Sequence, residues 1–387
     1  MNVSLRQDTT PLVTMVVPVF NAEPYLDQAL RSLREQTYSN LEILCLNDGS
    51  TDTSLAILEQ HASEDERVLV IDKPNEGYGA TCNRGINEAH GEWIGILEPD
   101  DWLLPDAVEA MVSAVQEAAQ ASDNAGADRA AVPDIVKTPY WRVLFADTPE
   151  QALVHCYYRG TPAASGAKRL SRGWLVQGEP AVASCTELME YHPSIWSALY
   201  RADFLRERGI QFLPIPGAGW ADNPFLVETM AAARSIAYLD EPFYCYREEA
   251  PTHFEATIRN QPTLVFDRWN DGADVLERHA GLDTRVVQAH YHRGFNNRDK
   301  AAFILGEGTP VIIEETARMF ARMQSELVLG DPALSPAQKA LFATTRGIDY
   351  RPSLPETLAF KVRSLRQQLH NVRAVGLQGA RAIARLH

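Results

Sequence analysis

Cysteine is scarce in this chain. Cys45, Cys82, Cys156, Cys185 and Cys245 make five, an odd number, and no two stand in a C-x-x-C spacing. That argues against a disulfide framework and a zinc site, and points to a reducing compartment. Positive charge is also short: 36 lysines and arginines face 51 aspartates and glutamates, a net charge of −15. General nucleic-acid binding needs a basic surface and is not expected. An anionic ligand must then be held locally, by a metal or by a few placed cations. Long apolar runs are missing too, and none reaches the roughly 18 residues of a membrane span. The N-terminus lacks a basic segment followed by an apolar core, so no signal peptide is expected. A cytoplasmic protein follows.

What is present is an alternation of short apolar runs and amphipathic stretches in a chain of 387 residues. That length suffices for a large domain and a smaller one. Strands are predicted at Leu12–Val17, Leu41–Leu46, Val68–Ile71 and Trp93–Leu97. Helices are predicted at Glu23–Gln36, Thr51–His61, Tyr78–His90 and Pro105–Gln120. This βα repeat implies a mostly parallel, Rossmann-like sheet with helices on both faces. Each run ends in a polar cluster: Pro18-Val19-Phe20-Asn21, Asn47-Asp48-Gly49-Ser50, Lys73-Pro74-Asn75-Glu76-Gly77 and Glu98-Pro99-Asp100-Asp101. In a parallel sheet these ends share one edge, where open α/β sheets bind ligands.

The stretch from Gly91 to Ala107 is the most telling. An apolar run stops at three carboxylates packed into four positions. Such a cluster repels itself unless a cation neutralises it, so a divalent ion carrying a phosphorylated ligand is expected there. Beyond it, Asp134–Lys137 reads as a further strand and Gly160–Gly178 as a mobile basic loop. Asp203–Gly209 reads as a helix. Ile236–Tyr246 reads as strand, turn, strand. From about Pro262 the pattern is helical. Residues 357–387 carry Lys361, Arg363, Arg366, Arg373, Arg381 and Arg385 and no acidic residue. With Leu358, Leu365, Leu369, Val372 and Leu377 beside them, this tail reads as a peripheral contact with an anionic membrane. The competing readings are a helix packed on the acidic body and a homodimer interface.

PVFNAEPYL, NDGSTDTS, NEGYGATCNRGI and GILEPDDW, in this order and spacing, closely resemble the family 2 glycosyltransferases of the GT-A fold. The resemblance is strong over roughly residues 12–110 and looser through Trp220–Leu226 and Tyr244–Arg247. It implies a GT-A domain over residues 1–260, with a nucleotide-binding half at 11–120 and an acceptor half at 121–260, followed by a helical region at 261–387. It also implies inverting transfer from a nucleotide-diphosphate sugar, usually a UDP-sugar, to a saccharide or lipid-linked acceptor in surface-glycan synthesis. The family reads D-x-D-D where this chain has Glu98-Pro99-Asp100-Asp101, which puts Mn²⁺ or Mg²⁺ on Asp100 and Asp101.

Roles follow position by position, each with a structural alternative. Asp48 accepts from uracil or ribose, or stabilises its own turn. Phe20, after Pro18 and Val19, stacks on the base or packs in the core. Glu23 contacts the nucleotide or serves as a first-turn helix acid. Asn75, Gly77, Gly79 and Asn83 approach the ligand or form a plain turn. The resemblance makes Asp222 the general base, although the usual preceding Glu is Ala221. The alternative is a helix cap. His192 is a fallback base. His192, Trp196 and Trp220 are acceptor-site residues or core. Arg247 and His253 fall where relatives place a phosphate-binding cation or a further metal ligand. A non-catalytic nucleotide-sugar binder and a nucleotidyltransferase are the alternatives. The latter would need a basic glycine-rich loop after strand one.

Overall fold

The computed structural model describes residues 10–123, 132–148, 151–156, 167–190, 193–217, 219–248 and 252–365. Uninterrupted aliphatic residues make β1 (Val13–Val19) and β2 (Leu41–Asp48), both buried along their whole length. Only strands covered on both faces read this way. Between and after them come α1 (Leu26–Arg34), α2 (Ser54–Glu64), β3 (Val68–Lys73), α3 (Tyr78–Glu88) and β4 (Trp93–Ile96). A two-residue strand, β5 (Trp102–Leu103), leads into α4 (Ala107–Asp123). The sequence-predicted βα repeat is therefore present element by element.

Three strands follow, β6 (Ile135–Lys137), β7 (Tyr140–Leu144) and β8 (Ala152–Cys156). Part of the expected loop is instead an edge hairpin, β9 (Lys168–Leu170) and β10 (Gly173–Gln177). The cations there lie on the outside, and the Trp174-Leu175-Val176 run pairs with the next central strand. Then come α5 (Glu187–Glu190), β11 (Ala198–Arg201), α6 (Ala202–Arg208), α7 (Asp222–Ala232), β12 (Ser235–Leu239) and β13 (Tyr244–Glu248). The nine-stranded sheet has the order β3-β2-β1-β4-β11-β6-β12-β10-β9. Only β11 and β10 run against the rest. Strands β5, β13, β7 and β8 form a second, four-stranded sheet.

The remaining chain is helical as expected: α8 (Thr252–Asn260), α9 (Leu264–Glu277), α10 (Thr284–Leu305), α11 (Pro310–Ala321), α12 (Ser325–Leu329) and α13 (Pro336–Thr345). One hydrophobic core lies on the large sheet, and a second sits among these helices around Phe266, Phe295, Phe320 and Phe342. α9 joins the two by packing on α7. Among the described residues no helix is long and apolar enough to cross a membrane.

Candidate active site

From β1 the chain runs outward to β2 and β3, then returns to β4 on the other side of β1. This is a topological switch point, and the crevice opens at the carboxyl ends of β1 and β4. Phe20 stands at the first of these ends and the Glu98–Asp101 turn at the second. Phe20 is 51% exposed, so the core alternative falls away. Pro18 and Val19 are buried in β1, leaving only their backbone to face a ligand.

The acidic turn is held by residues far away in sequence. Asp101 is 1% exposed. Its Oδ1 accepts the Arg247 backbone N–H at 2.7 Å and its Oδ2 the Tyr244 hydroxyl at 2.7 Å. Both oxygens are thus engaged by the protein, and Asp101 serves the turn. The Arg247 guanidinium donates to the Asp100 carbonyl at 3.0 Å, to Asp147 at 2.6 Å and to Gln28, and lies over the Tyr25 and Trp102 rings. It pins the turn and is not a spare phosphate-binding cation. Asp100 is the exposed acid of the turn.

Three carboxylates meet in this crevice. Burial, followed by the fields of Asp100 and Asp222, pushes the Glu98 carboxyl up to about 8, although the Tyr78 hydroxyl donates to it. Asp222 opens α7 from the far side, in the first turn; the capping position is Ala221. Burial raises its pKa, and Arg293 and the Asn223 amide, which donates to Oδ1 at 3.0 Å, oppose the rise. Glu98 and Asp222 are both densely surrounded by protein and still reached by solvent, as in a deep cleft. Tyr78 and Cys82, on α3, feel the charges of both acids.

Other expected ligand contacts turn inward. Asp48, 3% exposed, accepts from the backbone N–H of Glu76 at 2.8 Å and of Gly77 at 3.0 Å and from the buried Lys73 ammonium. Burial alone would raise its pKa, but these donors hold it below the usual carboxylate range. It fastens the end of β2 to the loop after β3. The Glu23 carboxylate accepts the Thr53 N–H at 3.2 Å, and the Glu23 N–H donates to Asp52 at 3.1 Å, stapling two neighbouring loops. Asn83 clamps the Phe212 backbone through two bonds of 2.8 Å. Gly77, at φ +90°, makes room for the irregular segment at 215–217 and not for a ligand: a Cβ there would lie 2.9 Å from the Ile215 carbonyl. Asn75 is exposed beside Gly49.

On the acceptor side, Trp196 is a core residue, stacked on Tyr244 at 4.0 Å and on Tyr246 at 5.3 Å. Burial by these rings removes it from any acceptor surface. Trp220 is half-buried against the helical core and stacks on the exposed Phe254 at 5.5 Å. His192 lies outside the described residues. The His253 side chain does too, although its backbone belongs to α8. Tyr78, Tyr244, Lys73 and Arg293 were not singled out from sequence. Only Lys73, inside a polar cluster, and Tyr78, directly after it, hinted at them.

Among the described residues no group of three or more His, Cys, Asp or Glu side chains could enclose a metal. One exposed carboxylate beside two further acids instead suits a hard divalent ion that keeps most of its ligands from phosphate and water. The mutual repulsion recorded in Glu98 is what such an ion would relieve.

Comparison with known proteins agrees with this geometry. The sequence model described as Glycosyl transferase family 2 matches residues 14–170. EpsH of Bacillus subtilis, which is named as a glycosyltransferase, is 30% identical over 266 residues, 67% of this chain and 66% of EpsH. The chain belongs to glycosyltransferase family 2. EpsJ of the same bacterium is 29% identical over 62% of this chain and 61% of its own length, so the chain matches just under two thirds of these relatives. This family 2 member also shares its fold with TarS of Staphylococcus aureus. The TarS 1–349 structure solved with UDP-GlcNAc superimposes with a TM-score of 0.62 at 16% identity, over 88% of this chain and 93% of that one. The fold is GT-A, followed by a helical C-terminal region.

Proposed function

We propose that this protein is an inverting glycosyltransferase that transfers a sugar from a UDP-sugar to a saccharide or lipid-linked acceptor in surface-glycan synthesis. The observation that carries this reading is the meeting of Glu98, Asp100 and Asp222 in one cleft at the β1/β4 switch point. Phe20 offers its exposed ring to the uracil face, and Asp100 would hold Mg²⁺ or Mn²⁺ together with the donor phosphates. Bound there, the ion supplies positive charge to the departing diphosphate.

Asp222 takes the proton from the acceptor hydroxyl. The freed oxygen bonds to the anomeric carbon from the face opposite the diphosphate, which leaves with the electron pair of the broken bond. Configuration inverts. A raised pKa strengthens Asp222 as a base, and the Arg293 charge opposes the rise. Asn223, held in turn by Arg293, fixes its orientation. Glu98, neutral near pH 7 when the cleft is empty, limits the repulsion around Asp100.

The GT-A domain runs to about residue 260, with its nucleotide-binding half at 11–120 and its acceptor half at 121–260, and the helices beyond it pack against the acceptor half. The helix over 354–365 leaves Leu354, Leu358, Val362 and Leu365 exposed near Lys361 and Arg363, which favours contact with an anionic membrane from the cytoplasmic side. Co-sedimentation with phosphatidylglycerol vesicles but not phosphatidylcholine vesicles is expected. Equal behaviour with both removes this part of the reading.

The deciding experiment is UDP titration with and without Mn²⁺, alongside slow hydrolysis of a panel of nucleotide-sugars. Mn²⁺ should tighten UDP binding, and Asp100→Ala should lose at least tenfold of that gain, about 1.4 kcal/mol. A variant that binds UDP and Mn²⁺ as the parent does would refute the assignment.

A further inference from the structure

Beyond Asp222 the cleft wall changes sign. Arg293 and Lys300 stand seven residues apart on α10, hence on one face and about 10 Å apart along the axis. Arg293 reaches Asn223, next to the proposed base. Lys300 lies over the Phe254 ring at 5.9 Å, and Phe254 stacks on Trp220, two residues before Asp222. Trp220 is held at φ +53°. Phe145 shares that angle, so the strain marks a fixed turn before α7 that sets the direction of the Trp220 ring.

The charges on this wall do not cancel. Arg142 is matched by Glu248, through bonds of 2.6 and 2.7 Å. Arg293 faces Asp222. Lys300 makes no ion pair or hydrogen bond with the described residues, although the chain holds 51 acidic side chains. It is exposed yet crowded: burial first, then the fields of Arg293 and Arg142, hold its ammonium below the ordinary lysine range. A cation left without a counter-ion by the described residues, in a protein of charge −15, is a selective place for an anion.

We propose that the acceptor is an anionic saccharide: Trp220 and Phe254 receive its ring, and Lys300 pairs with a phosphate or carboxylate that it carries. This rests on the glycosyltransferase reading, with Asp222 facing the acceptor hydroxyl. Aromatic faces suit the C–H surface of a sugar, and an ammonium is a point charge that takes either anion.

The test uses the full chain, its Lys300→Gln and Lys300→Arg variants, and three probes: methyl glucoside, methyl glucuronide and glucose 6-phosphate. Binding is followed by saturation-transfer NMR and by tryptophan fluorescence, with UDP titrated in parallel. At least one charged sugar should bind on the order of tenfold tighter than the neutral one. Lys300→Gln should abolish the preference, Lys300→Arg should keep it, and UDP affinity should not change. Which charged sugar is preferred tells phosphate from carboxylate. Equal binding of all three sugars, no measurable binding of any, or a preference that survives Lys300→Gln overturns the proposal. Failure of the parent to bind UDP would instead sink the glycosyltransferase reading, whatever the sugars do.

Discussion

The two walls of the cleft use polar residues in opposite ways. On the donor side, Asp48, Asp101, Arg247, Glu23 and Asn83 are all satisfied by the protein itself. On the opposite wall, burial raises the Asp222 pKa despite Arg293, and Lys300 has no counter-ion among the described residues. A buried polar group costs free energy unless it is paired, so most of the donor-side motif residues build loops. That leaves Phe20, Glu98 and Asp100 as the donor-side groups that remain for ligand.

If this contrast is right, substitutions on the two walls should fail differently. Asp222→Asn should lower transfer by about 10²–10⁴-fold, because only the proton acceptor is lost. UDP affinity and melting temperature should hold, and a steady-state UDP-release assay settles it; full turnover would end the role of Asp222 as base. Asp48→Ala should do the reverse. It leaves the buried Lys73 ammonium only the exposed Glu76 carboxylate at 3.0 Å and the Pro74 carbonyl at 3.3 Å, and should cost about 1–3 kcal/mol of stability, read by denaturant titration. Normal stability with lost UDP binding would return Asp48 to the ligand. Phe20→Ala should weaken UDP by about 1–3 kcal/mol, the usual worth of a base on an aromatic ring, with no change in melting.

The smallest effect lies away from the cleft and checks that the contrast is local. His292 on α10 is pushed up to about 9: burial opposes this, but Asp331 at 2.6 Å and Glu190 outweigh it. A histidine raised in the folded state stabilises fully below its unfolded value of about 6.5. That contribution is lost as pH rises through about 9. Melting temperature should therefore fall by a few degrees between pH 6 and pH 9.5, and His292→Gln should flatten the trend. An identical slope in the variant would rule His292 out as its source.

The parallel strands and their polar ends were legible because a strand buried on both faces must be an unbroken aliphatic run. Their order in the sheet was not legible from these runs and comes from the structure. The edge hairpin of β9 and β10 was not legible, since its glycine and cations read as loop. Nor were the partners of the motif residues. Asn83 meets Phe212 across 129 residues and Arg247 meets Gln28 across 219, and no local pattern records such a pairing. Trp196 was misplaced for the same reason: the rings that bury it come from other strands.

Arg247 ties four separate stretches of chain, at Gln28, Asp100, Asp147 and its own strand, into one knot. The acidic turn cannot drift by itself; it travels with the small sheet and with α1 or not at all. Evolution can therefore retune the opposite wall of the cleft, while the wall that carries the acidic turn stays mechanically fixed.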